Sequence, residues 1–185
     1  MKIGEKHYRT IWLNEDGWSV NVIDQTKLPH VFEVMCLQTV ADAAAAIADM
    51  VVRGAPLIGA TAAYGMALAV HEDTSDAALE DAYTTLLATR PTAINLRWAL
   101  DVMQERLQAV PQEVRRELAY GLAAEICDND VETCRSIGQH GSTLIADVLA
   151  KKGARNGAGT VVNILTHCNA GWLATVDWGT ALAPI

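Results

Sequence analysis

Cys168 lies in Thr166-His167-Cys168-Asn169-Ala170-Gly171, a short stretch of small and polar residues between a β-branched run and an apolar, tryptophan-containing segment. A thiol placed where a strand gives way to a helix faces the backbone N–H groups of the following turn. Those groups favour thiolate and would lower its pKa. Such a group can carry a proton or steady charge developing on a neighbouring carbon. His167 is placed to assist. The same residues also suit a buried structural cysteine, the commonest state of this residue type, with a histidine packed under the turn.

Two other stretches suit an anion. In Arg53-Gly54-Ala55-Pro56 an arginine and a flexible glycine precede a helix start, with proline fitting the first turn. Free N–H groups and the helix dipole attract negative charge there, and a guanidinium adds a two-pronged, charge-assisted contact. Arg90-Pro91-Thr92-Ala93-Ile94-Asn95 repeats the arrangement, with Thr92 a candidate N-cap. Arg97, inside the following helix, is a weaker candidate. Each stretch alone also fits an ordinary helix start with a solvated arginine. If both helices begin on one side of the molecule, the two turns can share one phosphate.

The surrounding pattern supplies elements to position these turns. Residues 10–13, 18–23 and 31–35 read as strands of an antiparallel meander, the first two joined at Asn14-Glu15-Asp16-Gly17. From Thr39, with Asp42 completing an approximate capping box, the period becomes helical to about Val51. Further helices are expected from Pro56 to about Val70, from the Thr74-Ser75 cap to Thr89, and after Thr92. In the last of these Leu96, Leu100, Met103 and Leu107 form one apolar stripe. Pro111 opens a long helical region to about Lys151, with Asp128-Asn129-Asp130 a candidate break or cap. His140-Gly141 suggests close helix packing, and Trp172 and Trp178 suit packing roles. Lys151 to Gly159, basic and glycine-rich, is the candidate linker. Thr160 to Leu165 then suits a buried parallel strand, followed by a turn and a helical segment.

Composition removes several classes of function. Of the 185 residues 51% are hydrophobic and 19% charged, which predicts a packed core. The net charge of −8 and the absence of long basic runs argue against a nucleic-acid surface. Cys36, Cys127, Cys134 and Cys168 show no metal-ligand spacing, and the first three read as core or surface residues. Asp128, Asp130 and Glu132 lack the glycine and terminal glutamate of a calcium loop. No metal and no organic cofactor is expected. With no apolar run of membrane-spanning length and no signal-peptide core at Met1 to Lys6, a cytoplasmic chain is expected. The apolar ending Thr180 to Ile185 reads as a chain cut within a longer protein.

Taken in order, Val52-Arg53-Gly54-Ala55-Pro56-Leu57-Ile58-Gly59, Arg90-Pro91-Thr92-Ala93-Ile94-Asn95-Leu96 and Thr166 to Gly171, with the tail Gly179 to Pro184, resemble the methylthioribose-1-phosphate isomerases of the initiation factor 2B-related family. The resemblance spans nearly the whole chain. It implies an α+β N-terminal domain, a small antiparallel β-meander plus a helical bundle. The first β-α unit of a truncated Rossmann-like α/β domain would follow. The corresponding divisions are 1–152, a linker at 153–159, and 160–185. The resemblance implies conversion of 5-methylthioribose 1-phosphate to 5-methylthioribulose 1-phosphate in methionine salvage, with Arg53, Gly54, Ala55 and Arg90 binding the substrate and Cys168 catalytic. It also implies a homodimer, a small-molecule sugar phosphate as ligand with no nucleic acid and no membrane as partner, and a general-acid aspartate located beyond Ile185. The chain alone is then expected to be inactive. Two related readings stay open: a regulatory subunit of the translation-initiation guanine-nucleotide exchange factor, and a ribose-1,5-bisphosphate isomerase.

Overall fold

The structure is a computed structural model that describes residues 2–156 and 159–185. A two-stranded hairpin, β1 (Lys2–Ile3) and β2 (Lys6–His7), precedes a three-stranded antiparallel sheet. That sheet is the expected meander: β3 (Ile11–Leu13), β4 (Val20–Ile23) and β5 (Val34–Leu37), in the order β3-β4-β5. Val20 and Val22 turn inward and are fully buried. The third strand lies later than expected, at 34–37 rather than 31–35, because Val22 pairs with Met35 and Val20 with Leu37. This register buries Leu37. Residues 25–33 form an excursion closed by a 2.9 Å bond from the Asp24 N–H to the Glu33 carbonyl.

Among the described residues five α-helices follow: α1 (Val40–Ala48), α2 (Ala55–Glu72), α3 (Asp76–Thr89), α4 (Ile94–Gln108) and α5 (Gln112–Asn156). The capping box at Thr39 forms in full: the Asp42 N–H donates to Thr39 Oγ1 (3.1 Å) and the Thr39 N–H to Asp42 Oδ2 (2.9 Å). Ser75 caps α3 at the Ala78 N–H (3.2 Å). α2 is the axis of the molecule. Every residue from Leu57 to Val70 is buried, and α1, α3, α4 and α5 pack around it. Alanine and glycine make this possible, since small side chains let neighbouring helices approach closely. Leu96, Leu100, Met103 and Leu107 form the buried stripe by which α4 joins the core. Among the described residues no helix is long and apolar enough to cross a membrane.

Three expectations change. α5 runs unbroken through Asp128-Asn129-Asp130, for a helix of 45 residues and roughly 68 Å. The acidic side chains do not compete for their own backbone, because they have distant donors: Arg9 Nη1 reaches Asp128 Oδ1 (2.7 Å) and the Val176 N–H reaches Asp130 Oδ2 (2.7 Å). α5 also continues past residue 152 to Asn156, into the expected linker, while residues 157–158 of that linker lie outside the described residues. Thr160 to Leu165 forms no strand, and the residues after Gly171 form only a 3-10 turn, Trp172–Ala174. A parallel strand needs neighbours on its edges. Among the described residues none is offered, and Leu165 is left 98% exposed. The close approach expected at His140-Gly141 is real but involves the chain end: a Cβ on Gly141 would meet the Pro184 ring.

Candidate active site

The segment 172–179 is clamped to the N-terminal elements by buried polar groups. The Thr10 N–H donates to the Val176 carbonyl (3.0 Å) and Thr10 Oγ1 to the Thr175 carbonyl (2.5 Å). Gln25 Nε2 donates to the Leu173 carbonyl (2.7 Å). Asp177 Oδ2 meets His7 Nε2 at 2.6 Å, and its Oδ1 accepts from the Trp178 N–H (2.8 Å). Burial acts to raise the Asp177 carboxyl, but the bonds from Trp178 and His7 outweigh it and hold the group below its ordinary value of 3.8. Asp130, at the other side of the clamp, is shifted the opposite way: burial raises it despite the Val176 N–H and the Cys134 thiol. Sequence reading did not find Thr10, Gln25 or His7, because their partners are remote in the chain.

The clamp fixes the loop before it. Gly179 packs so closely on Gly171 that a Cβ there would stand 2.5 Å from the Gly171 carbonyl carbon. Gly54 packs on Ala174, the last residue of the 3-10 turn, with no room for any side chain, and has φ +107. The loop carrying Cys168 is thereby set beside the start of α2. Cys168 is exposed and takes φ +70, a left-handed backbone that costs a non-glycine residue about 1 kcal/mol. Such strain is concentrated where a side chain must be aimed.

One cleft of about 580 Å³ collects all five site residues named from the sequence: Arg53, Gly54 and Ala55 at the start of α2, Arg90 at the end of α3, and Cys168. Thr92, Asn95 and Asn169 add polar groups to its wall, and Met50 and Ile94 add apolar ones. Among the described residues no acidic side chain lines the cleft, although the chain carries a net charge of −8. Arg97 and His167 are exposed and do not line it, so His167 is not packed under the turn as the sequence allowed.

The two helices that open on this cleft differ from their neighbours. α1 and α3 each have a side-chain cap and an acidic residue in the first turn. α2 and α4 have neither. Thr92 is not the cap of α4 as expected. Ala93 holds that position, with its own N–H bonded to the Arg90 carbonyl (2.9 Å). The first intrahelical bonds are made by the Ile58 N–H in α2 and the Arg97 N–H in α4, so the N–H groups before them have no acceptor within their helices. Two uncapped helix starts and two guanidinium groups meet on one cleft, and helix N-termini and guanidinium groups both attract negative charge. The chemistry of the cleft suits phosphate, with a thiol at the wall.

The other thiols lie elsewhere. Burial pushes Cys127 up to about 12 and Cys134 up to about 11, which keeps both as neutral packing groups. Cys36 is exposed on β5. Met50, Asn95 and Asn169 were missed as wall residues; only the last two carried a signal, through their place in the two motifs.

The sequence profile of the initiation factor 2 subunit family matches residues 51–182. The chain is 59% identical over all 185 residues to methylthioribose-1-phosphate isomerase of Sinorhizobium medicae (strain WSM419), covering 50% of that protein. It is 57% identical to the Escherichia coli O45:K1 (strain S88 / ExPEC) protein of the same name, again over its full length and 49% of the relative. The chain thus spans about half the length of the curated relatives it matches. Among solved structures, 5-methylthioribose 1-phosphate isomerase from Pyrococcus horikoshii OT3 superposes with a TM-score of 0.79 at 36% identity, over 96% of this chain and 48% of that one. Translation initiation factor eIF-2B subunit delta from A. fulgidus gives 0.78 at 36% identity, over 96% and 50%. The chain belongs to the initiation factor 2 subunit family.

Proposed function

We propose that this chain forms the phosphate-holding, thiol-bearing half of a methylthioribose-1-phosphate isomerase acting in methionine salvage. The observation that carries the reading is that Arg53, Arg90 and Cys168, distant in sequence, line one cleft that has no acidic residue among the described ones. Arg53, with the N–H groups of Gly54 and Ala55, and Arg90 hold the phosphate of 5-methylthioribose 1-phosphate. Cys168 then lies beside the sugar carbons. The reaction is an isomerisation that needs no oxidant. The bond from C1 to the ring oxygen breaks and that oxygen gains a proton. The hydrogen on C2 ends on C1, and the C2 hydroxyl loses its proton to become the carbonyl of 5-methylthioribulose 1-phosphate.

Two routes serve that hydrogen shift: a proton carried by Cys168 through an enolate-like species, or a direct hydride shift from C2 to C1. Both need a fixed phosphate, and both need an acid at the ring oxygen. Asp177 is not that acid, because its carboxylate is committed to the clamp through His7 and Trp178. The resemblance assigns the acid to an aspartate outside the half of the relatives that this chain matches, so turnover requires that half as well. A cytoplasmic homodimer belongs to the same proposal. The fold alone does not separate an enzyme from a regulatory subunit, since both solved relatives match at 36% identity. Identities of 59% and 57% to isomerases, together with a thiol on an anion cleft, favour the enzyme.

The test is reconstitution. The chain is co-expressed with the remaining half of the Sinorhizobium medicae relative, and conversion is followed by NMR. Turnover is expected only with both halves. Cys168→Ser is expected to abolish it, and Arg90→Ala to raise KM roughly 10- to 100-fold, the worth of one charge-assisted bond. A reconstituted pair without turnover, or a serine variant at full rate, sinks the reading.

A further inference from the structure

Two large apolar side chains stand open to solvent in the same cleft as Arg53, Arg90 and Cys168. Met50 is 51% exposed and Ile94 82% exposed. Each is an exception to a local rule. Met50 has φ +60, a conformation that asparagine or glycine adopts more readily than methionine. The turn is held on both sides, by the Asp49 N–H on the Ala45 carbonyl (2.8 Å), the Val52 N–H on the Ala46 carbonyl (3.1 Å) and the Gln25 N–H on the Val51 carbonyl (3.0 Å). It sends Val51 and Val52 into the core and leaves the methionine outside, on the cleft. Ile94 occupies the first position of α4, where polar and acidic residues ordinarily serve the free N–H groups. Buried Ile58 and half-buried Ala93 also line the cleft. A polar cleft thus carries an apolar wall that nothing within the described chain covers.

We infer that Met50 and Ile94 form the specificity subsite of this cleft, seating an uncharged thioether substituent on the far end of the sugar phosphate. The inference rests on the isomerase reading and decides which sugar phosphate the site takes. A methylthio group is apolar and polarisable, and the flexible thioether of Met50 packs against such a group without demanding one shape. A second phosphate at that end would need further cations. Among the described residues the cleft is lined by two, Arg53 and Arg90, and by no lysine or histidine. Apolar contact of this size discriminates by about 10- to 200-fold.

The test is calorimetric titration of the 185-residue chain with 5-methylthioribose 1-phosphate, with ribose 1-phosphate, which carries a hydroxyl in place of the methylthio group, and with ribose 1,5-bisphosphate. Met50→Asn, which suits the left-handed backbone, and Ile94→Ser are titrated beside the parent, with melting curves to check that each folds. The parent is expected to bind the methylthio ligand about tenfold more tightly than ribose 1-phosphate. Each variant is expected to lose most of that preference while its affinity for ribose 1-phosphate stays unchanged. Variants that weaken both ligands equally or neither, or tightest binding of the bisphosphate, overturn the subsite and leave the anion cleft standing. A parent that binds none of the three overturns the subsite and the isomerase reading together.

Discussion

Gly54 and Ala174 are packed backbone against backbone, with the Cα of the glycine turned to the last residue of the 3-10 turn and no space between them for a methyl group. This contact joins the start of α2, where Arg53 sits, to the segment that holds the Cys168 loop. Gly54→Ala therefore meets two penalties, a φ of +107 and a direct overlap with backbone that cannot rotate away. Together they are expected to cost about 3 kcal/mol. Gly17→Ala is the control. Its φ is +79 but a Cβ there meets open space, so only the conformational cost of about 1 kcal/mol applies. Urea unfolding of the two variants should separate them by at least 1 kcal/mol. Equal losses would mean that the Gly54–Ala174 contact relaxes at no cost.

What was legible in the sequence follows from how local each feature is. Thr39 with Asp42, Ser75, and the Leu96 to Leu107 stripe depend on spacing within one helix, and their helices start where expected, although α1 ends at Ala48 rather than near Val51. The Arg53 and Arg90 turns and the Cys168 loop were legible as motifs. That they share a cleft depends on the clamp at Thr10, Gln25 and Asp177, which no local pattern reveals. Asp128 and Asp130 misled for the same reason: read locally they end a helix, whereas remote donors let α5 run through them. Residues 160–165 have the composition of a strand, but a strand is a pairing and composition does not supply the partner. Met50 was invisible, because nothing in its neighbours announces a left-handed turn.

The four cysteines should sort by environment when the native protein is treated with iodoacetamide at pH 7. Burial holds the thiols of Cys127 and Cys134 at about 12 and about 11, so almost none of either is thiolate, and both are also shielded. Cys36 and Cys168 are exposed. Peptide mapping by mass spectrometry is expected to find label on Cys36 and Cys168 and essentially none on Cys127 or Cys134 until denaturant is added. If the proposed phosphate site is right, phosphate or a sugar phosphate should slow labelling of Cys168 and leave Cys36 unchanged, since Cys168 and not Cys36 lines the cleft with Arg53 and Arg90. Rapid native labelling of Cys127 would show that α5 opens locally.

Two carboxylates hold the 172–179 segment, and their replacement should have opposite consequences. Asp177 is held below its ordinary 3.8, so its ionised form stabilises the folded chain at neutral pH. That contribution is complete above the unfolded value and is lost as pH falls through the lower folded value. Asp177→Asn is expected to remove about 2 kcal/mol at pH 7, with the deficit shrinking as pH drops below 3.8. Asp130 is raised by burial, so its charge opposes folding at neutral pH and its protonation, as pH falls through the raised folded value, favours the folded state. Asp130→Asn keeps an oxygen for the Val176 N–H and discards the buried charge. Its melting temperature at pH 7 should equal or exceed that of the parent. Melting curves of both variants from pH 7 down to pH 3 check the pair of signs. A large loss in Asp130→Asn at pH 7 would mean that the negative charge itself, rather than the acceptor, holds Val176 in place.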